Sequence, residues 1–223
     1  MITPSVLSFD LDDTLWPVGP LMIAAENAML SWLRQRHPEI MRVHDAETLR
    51  ALRMRVVAQF PERSHDFTFL RRRALAQLFT EAGHDEAHAD EAFEVFFAAR
   101  NRVQLFDDVE AALQRLRLRY RLFAVSNGNA DLKRCGIAHL FEGHVTAIAA
   151  GAAKPDARIF TRLLEVSGVA AARVLHIGDD PHADVVGAMQ SGLQAAWLNR
   201  DAKEWPSQFA PPSRTISTLA EIL

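Results

Sequence analysis

The sequence predicts an α/β fold, in which a parallel sheet carries helices on both faces and an all-α domain is inserted into it. Three observations support this prediction. Short apolar runs end in small or acidic residues, as strands buried inside a parallel sheet do. Amphipathic helical patterns alternate with these runs in the second half of the chain. A long stretch after the first run has helical periodicity and almost no strand pattern.

Five short apolar runs are the predicted strands. Two of them, at 5–9 and 174–177, lead into acidic motifs. Continuously apolar runs of this length are typical of strands that are covered on both faces. The predicted strands are residues 5–9, 121–125, 144–149, 174–177 and 194–198, of which 144–149 has the weakest pattern.

Helices are predicted between these strands. Asp107 or Asp108 is placed to cap one helix, and Asp156 to cap another that ends at Gly168. Short acidic side chains accept hydrogen bonds from a helix N-terminus, and glycine permits the left-handed conformation at its end. A third helix is predicted over 182–190. The proline-rich segment 201–213 is predicted to be a surface loop before a short C-terminal helix.

Residues 16–103 are predicted to form a separate all-helical domain. Helical periodicity dominates this stretch, and proline or glycine interrupts it at intervals. The α/β domain then comprises residues 1–15 and 104–223, so the insertion directly follows its first strand. The predicted helices of the insertion are 23–36, 46–58, 67–82 and 87–100.

Composition and charge limit the possible classes of function. The chain has 223 residues with 25 Lys+Arg against 28 Asp+Glu, and this mild net charge of −3 disfavours nucleic-acid and anionic-membrane binders. The single cysteine excludes an internal disulfide, and no zinc-type cysteine–histidine motif is present. No segment resembles a signal peptide or a membrane span, so we expect a cytoplasmic protein.

The motif FDLDDTLWP at 9–17 is the strongest local sign of chemistry. Asp10, Asp12 and Asp13 crowd the end of the first predicted strand, where like charges repel one another and lose hydration. A hard divalent cation such as Mg²⁺ would relieve that repulsion, since it prefers oxygen ligands. A polar turn that caps the next helix is the alternative interpretation.

A second acidic motif, GDDPHAD, follows the predicted strand at 174–177. It places Asp179, Asp180 and Asp184 outside the carboxyl end of a strand, where ligands collect in open parallel sheets. If this strand lies beside the first one, a single metal ion can bridge Asp10 and Asp179. Asp184 could also cap the following helix, and Asp180 is better explained as a solvated turn residue.

Two further segments suit a phosphate group. Ser126, Asn127 and Gly128 follow a predicted strand, so a hydroxyl and successive backbone amides can face an anion. Lys154 is one of three lysines in the chain and follows a stretch of small residues. Its ammonium can neutralise both a phosphoryl group and nearby carboxylates. Ordinary turn chemistry and a surface lysine are the alternatives.

The order of these motifs resembles that of the haloacid dehalogenase superfamily. Asp-x-Asp, Ser-Asn, Lys-Pro and Gly-Asp-x₄-Asp follow one another here over residues 10–184. The resemblance implies a Rossmann-like catalytic core and a helical cap inserted after the first strand. Within the superfamily, SNGNA at 126–130 and the stretch 175–200 look most similar to riboflavin-pathway phosphatases that act on 5-amino-6-(5-phosphoribitylamino)uracil.

The resemblance also implies a role for each motif. Asp10 would be the nucleophile that becomes an aspartyl phosphate, and Asp12 the general acid and later the base that activates water. Mg²⁺ would be held by Asp10, the backbone carbonyl of Asp12, and Asp179, with Asp184 as a further ligand or a neighbour of the ligands. The groups that would hold the phosphoryl oxygens are Ser126, the Asn127 amide and Lys154.

We therefore expect a Mg²⁺-dependent phosphatase that acts on a small phosphorylated metabolite, as a monomer or a dimer. The acid at position 12 disfavours a dehalogenase, because a halide leaves without protonation. A phosphomutase with the same core and a non-catalytic metabolite-binding protein are the alternatives.

Substrate choice is expected to lie in the inserted helical domain. Arg72 and Phe69 are three residues apart on a predicted helix, so an arginine beside an aromatic ring could reach into the cleft. Trp16 adjoins the acidic motif and would either pack the hinge or line the pocket.

Overall fold

The computed structural model describes residues 2–222, which form two compact units. One unit contains the sheet and comprises the described residues of Met1–Pro17 and Gln104–Leu223. The other is helical and comprises Val18–Val103. They are termed the sheet unit and the helical unit below.

Six parallel strands form the sheet, in the order β3-β2-β1-β4-β5-β6. β1 lies between β2 and β4 at the centre, and both β1 and β4 are buried along their whole length. The prediction of a parallel α/β fold is confirmed. The strands are β1 Val6–Phe9, β2 Arg121–Ser126, β3 Gly143–Thr146, β4 Val174–Gly178, β5 Gln194–Leu198 and β6 Arg214–Ile216.

Helices of the sheet unit pack their apolar side chains against the strands. One core cluster joins strand residues such as Phe123 and Trp197 to Phe160 and Leu163 of α8. Asp156 caps α8 by accepting a hydrogen bond from the Arg158 backbone N–H, and Gly168 ends it at φ 67°, as predicted. The helices are α6 Val109–Leu116, α7 Ala147–Ala150, α8 Ala157–Ser167 and α9 Gly187–Gln190, the last preceded by a π-helical stretch, Pro181–Val186.

One predicted strand was wrong in part, and one strand was missed. The run 144–149 leaves the sheet after Thr146, because the Thr146 hydroxyl accepts from the Ala149 N–H and starts α7, which ends at Gly151 in the left-handed conformation. The segment 201–213 leads into β6, which was not predicted. Only Ile216 is buried among its three residues, so the sequence has no apolar run there.

The helical unit has five α-helices among its described residues. The four predicted helices are present, and α1 packs against α5, which also packs against α4. The short α2 was missed because it has only six residues, of which only Ile40 is buried. No helix within 2–222 is both long enough and apolar enough for a membrane span. The helices are α1 Val18–Arg36, α2 Pro38–Val43, α3 Ala46–Gln59, α4 Phe67–Glu81 and α5 His88–Arg100.

Asp108 precedes α6 as predicted, but its side chain does not cap that helix. Its carboxylate instead accepts hydrogen bonds from the Arg200 guanidinium at 2.9 Å and from the Leu219 N–H at 2.7 Å. Arg200 also donates to the Thr14 carbonyl and lies over the Phe106 ring, 4.3 Å from its centroid. Asp108 therefore ties the loop after β5 and the C-terminal turn to the start of α6.

We expect Asp108→Ala to lower the free energy of unfolding of the protein by about 2 kcal/mol, since it removes the ion-pair partner of the half-buried Arg200 and the acceptor of the Leu219 N–H. Urea denaturation followed by circular dichroism measures the change. The exposed neighbour is the matched control, and Asp107→Ala should shift the midpoint much less. Equal losses in both variants would contradict a specific role for Asp108.

Candidate active site

The carboxyl ends of three neighbouring strands bring the predicted motifs together. Phe9 of β1 is in register with Ile177 of β4, and the Asp10 N–H donates to the Ile177 carbonyl at 2.9 Å. Asp10 thus follows β1, Asp179 follows β4, and Ser126 ends β2 on the other side of β1. The strands that precede the two acidic motifs are therefore adjacent, as a metal ion bridging Asp10 and Asp179 requires.

The ammonium of Lys154 lies between these strand ends and is almost completely buried, with 2% of its side chain exposed. It donates to Asp10 Oδ1 at 2.5 Å, to Asp184 Oδ1 at 2.6 Å and to the Val125 carbonyl at 2.9 Å. An ammonium carries three N–H donors, so these three acceptors satisfy it fully. The two carboxylates raise the pKa of Lys154 although its burial opposes this, and it stays charged.

Asp10, Asp179 and Asp184 each place a carboxylate oxygen within 4.8 Å of the others. Burial raises the pKa of Asp10 well above its usual value, and Lys154 only partly offsets this. Burial, followed by the charge of Asp184, raises the pKa of Asp179 to about 7. Burial thus disfavours the charged form of both carboxyl groups, and their negative neighbours add to this effect.

This cluster has the donor set and the charge that suit a divalent cation. Three carboxylates and one ammonium leave a formal charge of −2, which one dication would neutralise. Hard cations such as Mg²⁺ bind carboxylate oxygens in sites of this kind. The residues present therefore fit the Mg²⁺ ion that the sequence predicts, and Asp10 and Asp179 would be two of its ligands.

Asp184 is fixed in place from several sides. One of its oxygens accepts from Lys154 and lies 3.2 Å from His176 Nε2, and the other accepts from the Asp180 N–H at 3.0 Å. Burial opposes ionisation of Asp184, but Lys154 and His176 lower its pKa below the usual range. A Cβ at Gly178 would lie 2.2 Å from the Asp184 carboxyl carbon, so this position has room only for glycine.

Asp12 is held by its own loop. The Trp16 indole N–H donates to Asp12 Oδ1 at 2.8 Å, and the Asp13 N–H donates to the Trp16 carbonyl at 2.8 Å. Asp13 has φ 57°, a left-handed conformation that aspartate tolerates better than most residues. The sequence left open whether Trp16 packs the hinge or lines the pocket; it is fully buried and orients Asp12.

The phosphate segment after β2 has a different local arrangement from the simple anion loop that the sequence suggests. The Gly128 N–H donates to the buried Ser126 hydroxyl at 3.0 Å. The Asn127 side chain accepts from the Lys154 N–H at 2.6 Å and donates to the Lys154 carbonyl at 3.0 Å. Asn127 thus fixes the backbone of Lys154, a role that its position in the sequence did not reveal.

Arg72 does not pair with Phe69. Its guanidinium lies over the ring of Phe93, 4.9 Å from the centroid, and 3.2 Å from the Asp90 carboxylate. Phe69 packs against other residues, with the Arg63 guanidinium 4.5 Å from its ring centroid. The helical periodicity places Arg72 and Phe69 on one face of α4, but Arg72 instead contacts Phe93 and Asp90 of α5.

Sequence reasoning missed three residues that support the site. The Thr14 hydroxyl donates to Asp179 at 3.0 Å, and the Trp197 indole donates to the Asp179 carbonyl at 2.8 Å. His176 lies 2.9 Å from the Ser8 hydroxyl through Nδ1, and a neutral ring protonated at Nε2 satisfies both Ser8 and Asp184. A polar side chain inside the apolar run 174–177 was the one available signal for His176.

Comparisons with known proteins agree with this geometry. A family model described as a haloacid dehalogenase-like hydrolase matches residues 4–192. The 5-amino-6-(5-phospho-D-ribitylamino)uracil phosphatase of Escherichia coli is 34% identical over 226 residues, which cover 98% of this chain and 94% of that protein. The phosphoserine phosphatase of Thermus thermophilus is 34% identical over 158 residues, which cover 68% and 63%.

Solved structures give the same family. A 2-haloacid dehalogenase from Pseudomonas syringae pv. Tomato superposes with a TM-score of 0.93 at 35% identity, covering 99% of this chain and 96% of that one. An L-2-haloacid dehalogenase from Xanthobacter autotrophicus has a TM-score of 0.67 at 20% identity, covers 99% and 97%, and shows a shared fold alone. The chain therefore belongs to the haloacid dehalogenase-like hydrolases, as the order of its motifs predicted.

Proposed function

We propose that this hydrolase is a Mg²⁺-dependent phosphatase that cleaves a small-molecule phosphomonoester through an aspartyl phosphate on Asp10. The observation that carries the proposal is the cluster of Asp10, Asp179 and Asp184 around buried Lys154, with a separate acid at Asp12. A nucleophile, a proton donor and a site for charge compensation thus lie at one edge of the sheet.

In the first step, a carboxylate oxygen of Asp10 attacks phosphorus and forms an acyl phosphate. The bond from phosphorus to the leaving oxygen breaks, and the Asp12 carboxyl gives its proton to the alcohol that leaves. The Trp16 indole N–H donates to Asp12, whereas Lys154 donates to Asp10, so the proton donor and the nucleophile have separate partners.

In the second step, Asp12 accepts a proton from a water molecule that attacks the aspartyl phosphate. Inorganic phosphate leaves, and the Asp10 carboxylate is restored. A phosphomutase would differ only here, because the phosphoryl group would pass to a sugar hydroxyl. Asp12 therefore serves as acid in one step and as base in the next.

Charge compensation comes from Lys154 and from the metal. When bound, Mg²⁺ stabilises negative charge on the phosphoryl oxygens and on Asp10. Asp10 and Asp179 would hold it together with the Asp12 carbonyl, and Asp184 supports the cluster through Lys154. Lys154 must give up one of its three present acceptors before it can donate to a phosphoryl oxygen.

Dehalogenation is the second candidate, because the Pseudomonas syringae protein that resembles this chain is described as a 2-haloacid dehalogenase. Halide displacement needs the nucleophile but neither a proton donor nor a dication. Asp12, oriented by Trp16, and Asp179 would then have no function in the reaction. The phosphatase hypothesis uses all of these groups and is preferred.

The proposed substrate is 5-amino-6-(5-phosphoribitylamino)uracil. The Escherichia coli relative that is named for this substrate matches 98% of this chain and 94% of its own length. The match to the Thermus thermophilus phosphoserine phosphatase covers a smaller share of this chain and of that protein. Near full-length similarity includes the helical unit, where a cap would select the substrate.

We expect the purified protein to release phosphate from p-nitrophenyl phosphate with Mg²⁺ present and to lose this activity in EDTA. Asp10→Asn removes the nucleophile and should lower kcat by about 10³-fold or more. The matched control is Asp13→Asn, because Asp13 is exposed and asparagine also tolerates its left-handed backbone. Full activity in EDTA, or in Asp10→Asn, would overturn the phosphatase proposal, and chloride release from 2-chloropropionate without metal would favour dehalogenation.

We expect Trp16→Phe to slow the cleavage of esters whose alcohol must be protonated. Loss of the indole N–H misplaces Asp12, so kcat/KM for an alkyl phosphate should fall about tenfold. The value for p-nitrophenyl phosphate should change less, since nitrophenolate leaves without a proton. Trp205→Phe is the matched control, because it also loses an indole hydrogen bond, to the Phe209 carbonyl. Equal losses on both esters would contradict this role of Trp16.

A screen of phosphorylated metabolites tests the substrate. We expect kcat/KM for the ribitylaminouracil phosphate to exceed those for phosphoserine and pyrimidine nucleotides by at least about tenfold. The readout is phosphate release at substrate concentrations below KM. A flat profile across these compounds would reject this substrate and leave the phosphatase proposal intact.

A further inference from the structure

Three histidines and a glutamate gather at one place in the helical unit, and the proposed phosphatase reaction uses none of them. His37 and Glu39 lie at the start of α2, and His84 lies between α4 and α5. His37, Glu39 and His84 each offer one nitrogen or oxygen atom, and the three atoms lie within 4.8 Å of one another. Among residues 2–222, this group and the acidic cluster of the sheet unit are the two that meet this criterion.

Contacts inside the group are already close. Glu39 Oε1 lies 2.9 Å from His84 Nε2 and 3.7 Å from His37 Nδ1. The ring of His88, at the start of α5, has its centroid 4.8 Å from that of His37, and the His84 centroid is 5.2 Å from it. Two imidazoles and one carboxylate thus bring their donor atoms together, and the His88 ring packs beside His37.

We propose that His37, Glu39 and His84 bind a transition-metal dication such as Zn²⁺, with His88 available as a fourth ligand. Imidazole nitrogen with one carboxylate is a donor set that suits Zn²⁺, Ni²⁺ or Cu²⁺, whereas Mg²⁺ prefers oxygen donors. This site is distinct from the acidic cluster of the sheet unit, and it stands independently of the proposed phosphatase function.

Small side-chain movements would complete the coordination. Zinc ligands lie about 2.0–2.1 Å from the metal and hence about 3.3 Å from one another in a tetrahedral site. Glu39 and His84 have 44% and 29% of their side chains exposed and are free to rotate towards a metal. His37 is 10% exposed and is held between Trp32 and Phe79, so it supplies the fixed ligand.

The charges around the group favour a dication. Two carboxylates face the group, from Glu39 and from Glu91, which lies 3.9 Å from His88. A bound dication would replace the weak contacts among these groups by direct ligation.

Metal binding here would join two parts of the helical unit that are distant in sequence. His37 and Glu39 lie at the junction of α1 and α2, and His84 lies in the loop that leads to α5. Because the ligands assemble only in the folded unit, a metal at this site stabilises the native state in proportion to its free concentration. The site would act as a structural clamp.

Isothermal titration with Zn²⁺ tests the proposal, in millimolar Mg²⁺ to compete at the acidic cluster. We expect saturable binding of one Zn²⁺ per chain at the histidine site. His84→Gln and Glu39→Gln should each weaken that binding by at least about tenfold, since each removes one ligand. His65→Gln, which changes a histidine of the same unit outside the group, and Asp179→Asn, which alters the acidic cluster, should leave it unchanged.

Three results would overturn the proposal: no saturable binding by the unaltered protein, binding that His84→Gln and Glu39→Gln both retain, or binding that only Asp179→Asn removes. Circular dichroism melting in EDTA checks that each variant is folded, and the exposed Glu39 provides the second variant if His84→Gln does not fold. Phosphate release in Mg²⁺ should be similar in His84→Gln and the unaltered protein, so a failure of the phosphatase proposal would be seen separately.

Discussion

The buried ammonium of Lys154 is the interaction on which the rest of the site depends. Burial of a charge costs several kcal/mol unless hydrogen bonds and opposite charges replace the lost water. Lys154 meets this requirement only when Asp10, Asp184 and the Val125 carbonyl all reach it, so β1, β2 and the helix after β4 must come together. The Asn127 side chain then fixes the Lys154 backbone from the β2 side.

One ammonium cannot neutralise three carboxylates, and this imbalance determines the chemistry of the strand ends. Asp184 is stabilised as an anion by Lys154 and His176, whereas burial and its negative neighbours raise the pKa of Asp179 to about 7. Asp12 is not one of these three carboxylates, and the Trp16 indole N–H donates to it. In the proposed mechanism, the carboxyl group that transfers the proton is therefore separate from the carboxylates that would hold the cation.

The parts of the structure that follow from local pattern could be predicted from the sequence. The buried runs at 5–9 and 174–177 became β1 and β4, and the acids that follow them met because parallel strands end at one edge. The hydrogen-bond partners of Asp108, Trp16 and Asn127 could not be predicted in this way. Each depends on a partner or a rotamer that the chain pattern does not encode, and the short β6 has too few buried residues to leave a pattern at all.

The two candidate metal sites differ in donor chemistry, and this difference has a consequence for selectivity. Oxygen donors alone do not exclude Zn²⁺, since transition metals bind most sites more tightly than Mg²⁺ does and selection relies on availability and ligand type. A group with two imidazoles would bind Zn²⁺ with little competition from Mg²⁺, while the acidic cluster would take the abundant hard cation. Separate units with separate donor types would therefore let one chain use a hard ion for chemistry and a softer one as a structural clamp.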